Sequence, residues 1–182
     1  MIQIVDNDRT DKNTVHSYLS LYEDILQKKK ETATDVLEVG ICYGGSIKLW
    51  NDYFTKANVY GLDIMSYNKI WEELKNIPRI KLFSSFDAYN KDIVQKCFGD
   101  KKFDFILDDG PHTLESQLKF LEIYLPLLKN NGILIIEDIE SLEYLEILKK
   151  NVPVIDKDCI QTFDLRRIKK RYDDIVLVID RS

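Results

Sequence analysis

Short apolar runs alternate along this chain with stretches whose apolar residues recur at helical spacing. Residues 36–39, 59–63, 80–83, 103–107 and 133–136 read as five strands. The fourth run is bulky and apolar at every position but Asp104, as a strand buried on both faces requires. Residues 15–27, 46–54 and 114–128 read as helices. The first carries Tyr18, Leu19, Tyr22, Ile25 and Leu26 on one face, with Thr14 as its expected N-cap. Asn131-Gly132 punctuates the end of the third. Strands alternating with helices predict an α/β fold with a mostly parallel sheet. The rhythm then changes. Residues 159–165 and 175–179 read as two strands joined through a basic tract, with no helix between them, and so as a closing antiparallel hairpin.

At 182 residues the chain is expected to form one domain, 1–182, with a short N-terminal helical segment. A net charge of −5 argues against a nucleic-acid partner, which needs a basic face. The one dense basic run, Arg166, Arg167, Lys169, Lys170 and Arg171, reads as the solvated end of the hairpin. Cys42, Cys97 and Cys159 are odd in number and lack zinc-ligand spacing, so neither a disulfide framework nor a zinc site is expected. The N-terminus lacks the pattern of a signal peptide, and no apolar run is long enough to span a membrane. The expected location is therefore the cytoplasm, with no membrane partner. The terminal hairpin and the aromatic first helix offer surfaces through which a homodimer could form.

The chemistry begins at the first strand-to-helix turn, Glu38-Val39-Gly40-Ile41-Cys42-Tyr43-Gly44-Gly45-Ser46. Glycines there let the backbone turn sharply and approach a ligand. Asp63 ends the next strand, where a carboxylate can accept both ribose hydroxyls of an adenosine. The glycines are not spaced as in a dinucleotide turn, and Cys42 and Tyr43 stand where a pyrophosphate needs bare backbone. S-adenosylmethionine carries no phosphate, but it carries an ammonium and a sulfonium, and Glu38 suits that charge. The expected cofactor positions are Glu38, Gly40, Tyr43, Gly44, Ser46, Asp63 and Ile64. Ser85 or Asp87 would bond the adenine amine, and Phe86 could stack on the ring.

The fourth strand ends Asp108-Asp109-Gly110-Pro111-His112 and the fifth Glu137-Asp138. Ligands of open α/β sheets sit beyond the carboxyl ends of the strands, so these carboxylates converge on one crevice. Unpaired, they repel one another, and a hard divalent cation such as Mg²⁺ removes the conflict. The expected ligands are Asp109, Glu137 and Asp138. Asp108 is either an alternative ligand or a cofactor contact. His112 is the expected general base, working beside Asp109 on a hydroxyl whose proton the ion makes more acidic.

These motifs, with Thr10-Asp11-Lys12, His16-Ser17-Tyr18 and Leu21-Tyr22-Glu23 ahead of them, resemble the macrocin O-methyltransferase-like family. The cephalosporin hydroxylase-like proteins are a related group. The resemblance runs from about residue 8 onward. It implies a Rossmann-like class I methyltransferase fold: a seven-stranded, mostly parallel sheet ending in an antiparallel hairpin, with helices on both faces. It also implies S-adenosylmethionine, a Mg²⁺-type ion and O-methylation of a sugar hydroxyl. His112 matches the family's proposed base, and the family's early H-S-Y segment makes His16 and Tyr18 candidates for substrate contact. Pro111 stands where the family usually has serine. The shortness of the chain suggests a small acceptor, such as a nucleotide-linked sugar or a glycan end. The alternatives are a methyltransferase of another small hydroxylated metabolite and a non-catalytic binding module on the same fold.

Overall fold

The computed structural model describes residues 1–182, and its strands coincide with the apolar runs. They are β1 (Asp35–Val39), β2 (Asn58–Asp63), β3 (Ile80–Ser84), β4 (Phe103–Asp108), β5 (Leu128–Ile136), β6 (Ile160–Asp164) and β7 (Ile175–Asp180). They form a seven-stranded sheet in the order β3-β2-β1-β4-β5-β7-β6. The first five strands pair parallel, while β7 runs antiparallel to both β5 and β6. Every residue of β4 is buried, Asp104 and Asp108 included, as its bulky apolar residues predict.

Successive strand residues point to opposite faces, and each face has its own core. Leu37, Ile106 and Leu134 pack on one face, under α4 (Lys91–Phe98), α5 (Leu114–Tyr124) and α6 (Leu142–Asn151). Val36, Phe105 and Ile133 pack on the other, under α1 (Tyr18–Leu26) and α2 (Gly45–Tyr53). This is the Rossmann-like architecture expected. The short helices α3 (Glu72–Lys75) and α7 (Arg166–Lys169) complete the inventory. No helix is long and apolar enough to cross a membrane.

Several boundaries differ from expectation. The first helix starts at Tyr18 rather than residue 15, and Thr14 does not cap it. The N-cap position is Ser17, which makes no side-chain capping bond. The residues before it are irregular because they are drawn along the crevice described below. The third helix ends at Tyr124, a 3₁₀ turn follows over Leu125–Leu127, and Leu128 already belongs to β5. Asn131-Gly132 therefore lies inside a strand, where β5 and β4 shift register, rather than at a helix end. One helical turn, α7, occupies the β6–β7 connection where none was expected, and it ends at Lys170 with φ +60°. The aromatic side chains of α1 are core: Tyr18 and Tyr22 are fully buried, so that face offers no dimer surface.

Besides the single turns α3 and α7, two longer helices escaped the sequence reading. In α4 the Asn90 side chain accepts from the amides of Asp92 and Ile93, and in α6 Ser141 accepts from that of Tyr144. Both are ordinary N-caps, and they were the available signal.

Candidate functional site

The carboxyl ends of β1, β2 and β4 open into a cavity of about 790 Å³. Its floor is the glycine turn after β1. Gly40 has φ +83°, and a Cβ there would lie 2.0 Å from the carbonyl oxygen of Asp109, so only glycine lets the β4 loop close on the turn. Asp63 buttresses the same turn. One carboxylate oxygen accepts from the amides of Ile41 (2.7 Å) and Cys42 (2.8 Å), and the other from that of Met65 (2.6 Å).

The chain's own N-terminal segment forms one wall: Asn7, Asp8, Arg9, Thr10 and Asp11 line the cavity. A Cβ on Gly45 would lie 1.9 Å from the Arg9 carbonyl, so this strap rests directly on the first turn of α2. The Arg9 guanidinium lies 3.7 Å from the centre of the Trp71 ring and pairs with Glu73.

Of the expected cofactor residues, Gly40, Tyr43, Ser46, Asp63, Ile64 and Asp87 line this cavity. Glu38, Gly44, Ser85 and Asp108 do not. Glu38 is fully buried behind the turn, accepting from Ser46 Oγ (2.6 Å) and Trp50 Nε1 (3.0 Å). Gly44 is needed for its conformation, φ +97° at the start of α2. Ser85 turns the chain after β3 with φ +63°, its amide donating to the Met65 carbonyl. Asp108 accepts from the Tyr89 hydroxyl at 2.6 Å, and Tyr89, which no sequence signal marked, lines the cavity instead.

The donor set fits S-adenosylmethionine. Asp8, Asp11, Asp63, Asp87 and Asp109 supply acceptors, and Ile41, Leu62, Ile64 and Met65 supply apolar wall. The one lysine or arginine lining the cavity, Arg9, is engaged by Trp71 and Glu73, which leaves no free side-chain cation for a pyrophosphate.

Beyond the cavity lie the carboxylates of β4 and β5, and the structure divides them into two groups. On the open side, His112 Nε2 lies 3.8 Å from Asp109 Oδ1 and 3.6 Å from Asp138 Oδ2. These three residues can each direct one ligand atom to a common point. On the closed side stands a residue that reasoning about charge had overlooked. The side chain of Lys12 is 1% exposed, and its Nζ donates to Asp109 Oδ2 at 2.6 Å and to Glu137, with Glu38 Oε1 at 3.7 Å. Tyr22 donates to the second oxygen of Glu137. Glu137 is therefore not brought into the group formed by Asp109, His112 and Asp138, because a lysine and a tyrosine already occupy its carboxylate. The chain supplies part of the positive charge that the converging acids were expected to draw from an ion.

His16 and Tyr18 do not line the cavity either. Tyr18 donates to Asp138 Oδ1, and His16 Nδ1 lies 3.1 Å from that oxygen and 2.7 Å from Asp174 Oδ1. Both stand behind Asp138 and hold it, stacked on each other with ring centres 5.0 Å apart. Backbone strain gathers at this end of the sheet. Cys42, Ser85, His112 and Asp138 all have positive φ, at a cost of order 1 kcal/mol or more each.

Burial dominates the ionisation of the acids. It pushes Asp108 up to about 7, against the hydrogen bond from Tyr89. It also raises Glu38 to about 7, opposed by the Lys12 ammonium. Glu137 is raised well above the ordinary range by burial and by the neighbouring Asp109 charge, with Lys12 pulling the other way. Burial works against charge on Lys12 as well, but Asp109, Glu137 and Glu38 outweigh it and hold the ammonium protonated.

A profile described as a methyltransferase domain matches residues 37–139, more than half of the chain. The chain belongs to the methyltransferase-domain family. Among curated relatives, an 8-demethyl-8-alpha-L-rhamnosyl tetracenomycin-C 2'-O-methyltransferase from Streptomyces olivaceus is 24% identical over 72% of this chain and 35% of its own length. Demethylmacrocin O-methyltransferase from Streptomyces fradiae is 25% identical over 69% of this chain and 32% of its own. The macrocin-type resemblance read from the motifs is thus met by similarity to such an enzyme. The chain spans about a third of the length of these relatives. The solved structure of the MycE methyltransferase of the mycinamycin biosynthetic pathway, in complex with Mg, SAH and mycinamycin VI, superposes with a TM-score of 0.70 at 21% identity. It covers 92% of this chain and 50% of that one, which establishes the shared fold.

Proposed function

We propose that the chain is an S-adenosylmethionine-dependent O-methyltransferase acting on a sugar hydroxyl, with a divalent ion, Mg²⁺ by the chemistry of its donors, at the reacting end of the crevice. The observation that carries this reading is the grouping of His112, Asp109 and Asp138 at the end of an acid-rich cavity. That the Streptomyces olivaceus relative is named for a rhamnosyl-bearing molecule supports the choice of acceptor.

The glycine turn, Asp63 and Asp87 would hold the cofactor, which supplies an electrophilic methyl group on a sulfonium. Asp109 and Asp138 would hold the ion, which supplies positive charge beside the acceptor hydroxyl. Glu137, which accepts from Lys12 and Tyr22, is the third acid beside that site. His112 Nε2, facing both aspartates, takes the hydroxyl proton as the acceptor oxygen takes the methyl group. Asp109 holds the imidazole toward the crevice and favours the positive charge it acquires. Tyr18 and His16 fix the Asp138 carboxylate, so it need not reorganise during the reaction. The acceptor hydroxyl belongs to a sugar, nucleotide-linked or at a glycan end.

The decisive test is methyl transfer from labelled cofactor to a panel of nucleotide sugars and simple glycosides, with Mg²⁺ and with EDTA. Transfer to a sugar that EDTA abolishes and Mg²⁺ restores is expected. Transfer confined to non-sugar hydroxyls would replace the acceptor class, and transfer indifferent to EDTA would remove the ion.

A further inference from the structure

The basic tract between β6 and β7 is a strongly charged surface to which the reaction gives no role. Arg166, Arg167, Lys169, Lys170 and Arg171 lie in or beside α7, in a chain whose net charge is −5. The tract does not stand free in solvent. Lys169 Nζ donates to the His16 carbonyl at 2.8 Å and to that of Asn13, which pins α7 to the N-terminal strap. Arg171 pairs with Asp173 at 2.8 Å. One nitrogen or oxygen each of His16, Asp138, Asp173 and Asp174 lies within 4.8 Å of the others, so Asp173 stands close behind Asp138. The amide of Ile139, the next residue after Asp138, donates to the Ile175 carbonyl at 3.1 Å. The tract is thus anchored at the reacting end of the crevice, beside Asp138.

Its charge is unevenly spent. Arg166 is paired through two nitrogens with Asp164, and Arg171 is held by Asp173. Lys169 is bonded to carbonyls, which do not neutralise it. Arg167 and Lys170 are exposed and form no ion pair. The charges of Arg167, Lys169 and Lys170 are therefore left over. The cofactor cavity, by contrast, is lined by Asp8, Asp11, Asp63, Asp87 and Asp109. An anionic group on the acceptor is repelled by the cavity and drawn to the tract. A diphosphate carries enough charge to engage all three cations, where a single carboxylate does not. Tyr172 is 61% exposed beside them, with the Arg171 guanidinium 5.7 Å from its ring centre, and offers a flat face to a nucleoside base.

We propose that this tract is the phosphate subsite of the acceptor: the sugar is joined to a phosphate or diphosphate that rests on Arg167, Lys169 and Lys170, while the sugar hydroxyl points inward to His112. The opposed charges of tract and cavity orient the acceptor, hydroxyl first. The proposal deepens the sugar O-methyltransferase reading and rests on it.

The test titrates the protein, saturated with S-adenosylhomocysteine and held in EDTA, with UDP-glucose, UDP and methyl glucoside. It is repeated on a double variant, Arg167→Gln with Lys170→Asn, which removes two exposed charges; asparagine tolerates the positive φ at residue 170. UDP-glucose and UDP should bind, and methyl glucoside at least about tenfold more weakly. The double variant should weaken UDP by about tenfold and S-adenosylhomocysteine by less than about twofold. High salt should erase the difference between the two proteins. In methyl-transfer assays the double variant should lower kcat/KM for a phosphate-bearing sugar through KM rather than kcat.

UDP binding that ignores the double substitution, or neutral glycosides methylated as well as phosphate-bearing ones, overturns the proposal and leaves the sugar reading standing. Tighter binding to phosphatidylglycerol vesicles or to single-stranded RNA than to any of the soluble phosphates makes the tract a membrane or nucleic-acid surface, and overturns it too. Transfer confined to hydroxyls outside sugars overturns the acceptor class and the proposal together, whatever the tract binds.

Discussion

His112 is held with φ +59° at the mouth of the loop after β4, a conformation that turns its ring toward Asp109 and Asp138. A residue acting only on a proton should be separable from cofactor binding. His112→Ala is expected to lower kcat by about 100-fold or more. Its affinity for S-adenosylhomocysteine should stay within about twofold; calorimetry beside a rate assay checks this, and equal loss of both would make the residue structural. Asp108 permits a different prediction. Its folded value of about 7 lies above the ordinary 3.8, so the native state holds the extra proton throughout that interval. Stability from this residue is full below about pH 4 and is lost as pH rises through 7. In metal-free buffer, urea midpoints should therefore fall between pH 5 and 8, and Asp108→Asn should flatten the slope. A midpoint that climbs over that range would refute the assignment. At this scale the sequence was legible wherever a residue type was itself unusual at a strand end, as with Asp109, His112 and Asp138. It was illegible where the residue acts from far away along the chain. Lys12 sits 97 positions from Asp109 and 125 from Glu137, and nothing local marks it as buried.

The elements place these residues through close packing of backbone on backbone. The strap rests on Gly45 with no room for a Cβ, whose nearest neighbour would be a carbonyl rather than a movable side chain. Gly45→Ala should push the strap off α2 and weaken S-adenosylhomocysteine by roughly tenfold, while circular dichroism stays unchanged. An unaltered affinity would mean that the strap does not enclose the cofactor. Cys42 is the opposite case, a side-chain-bearing residue at φ +48°. Cys42→Gly should relieve strain and raise stability by about 0.5–1 kcal/mol. Strands proved easier to read than helices, because a continuous buried run such as Phe103–Asp108 leaves one interpretation. Helix α4 was missed because it is short, eight residues, with only Val94 and Phe98 of its apolar side chains buried. The start of the first helix was misplaced for a tertiary reason. Residues 7–11 and Thr14 line the cavity and the same segment carries Lys12 inward, a tertiary arrangement that local propensity cannot anticipate.

For the whole molecule, the strand order sets the location of the site, since β1, β4 and β5 lie side by side and end at the same edge. Ligand linkage makes this testable without knowing the acceptor. At about 100 times its dissociation constant, S-adenosylhomocysteine should add roughly 2.7 kcal/mol to stability. For a chain of this size that raises Tm by roughly 5–10 °C. NAD should give no shift, and a shift with NAD alone would return the cavity to the dinucleotide class. The overall architecture was legible because the change from alternating strand and helix to two successive strands is a feature of the chain as a whole.

The last strand, β7, lies inside the sheet between β5 and β6 rather than at its edge. During synthesis, β5 must therefore wait with an open hydrogen-bonding edge until residues 175–180 have left the ribosome. The same late segment carries Asp174, which anchors His16 and through it the support of Asp138. A chain stalled before this point would expose an apolar strand edge and lack a finished crevice. Any occupancy of the open edge by a neighbouring nascent chain would then block catalysis and folding together.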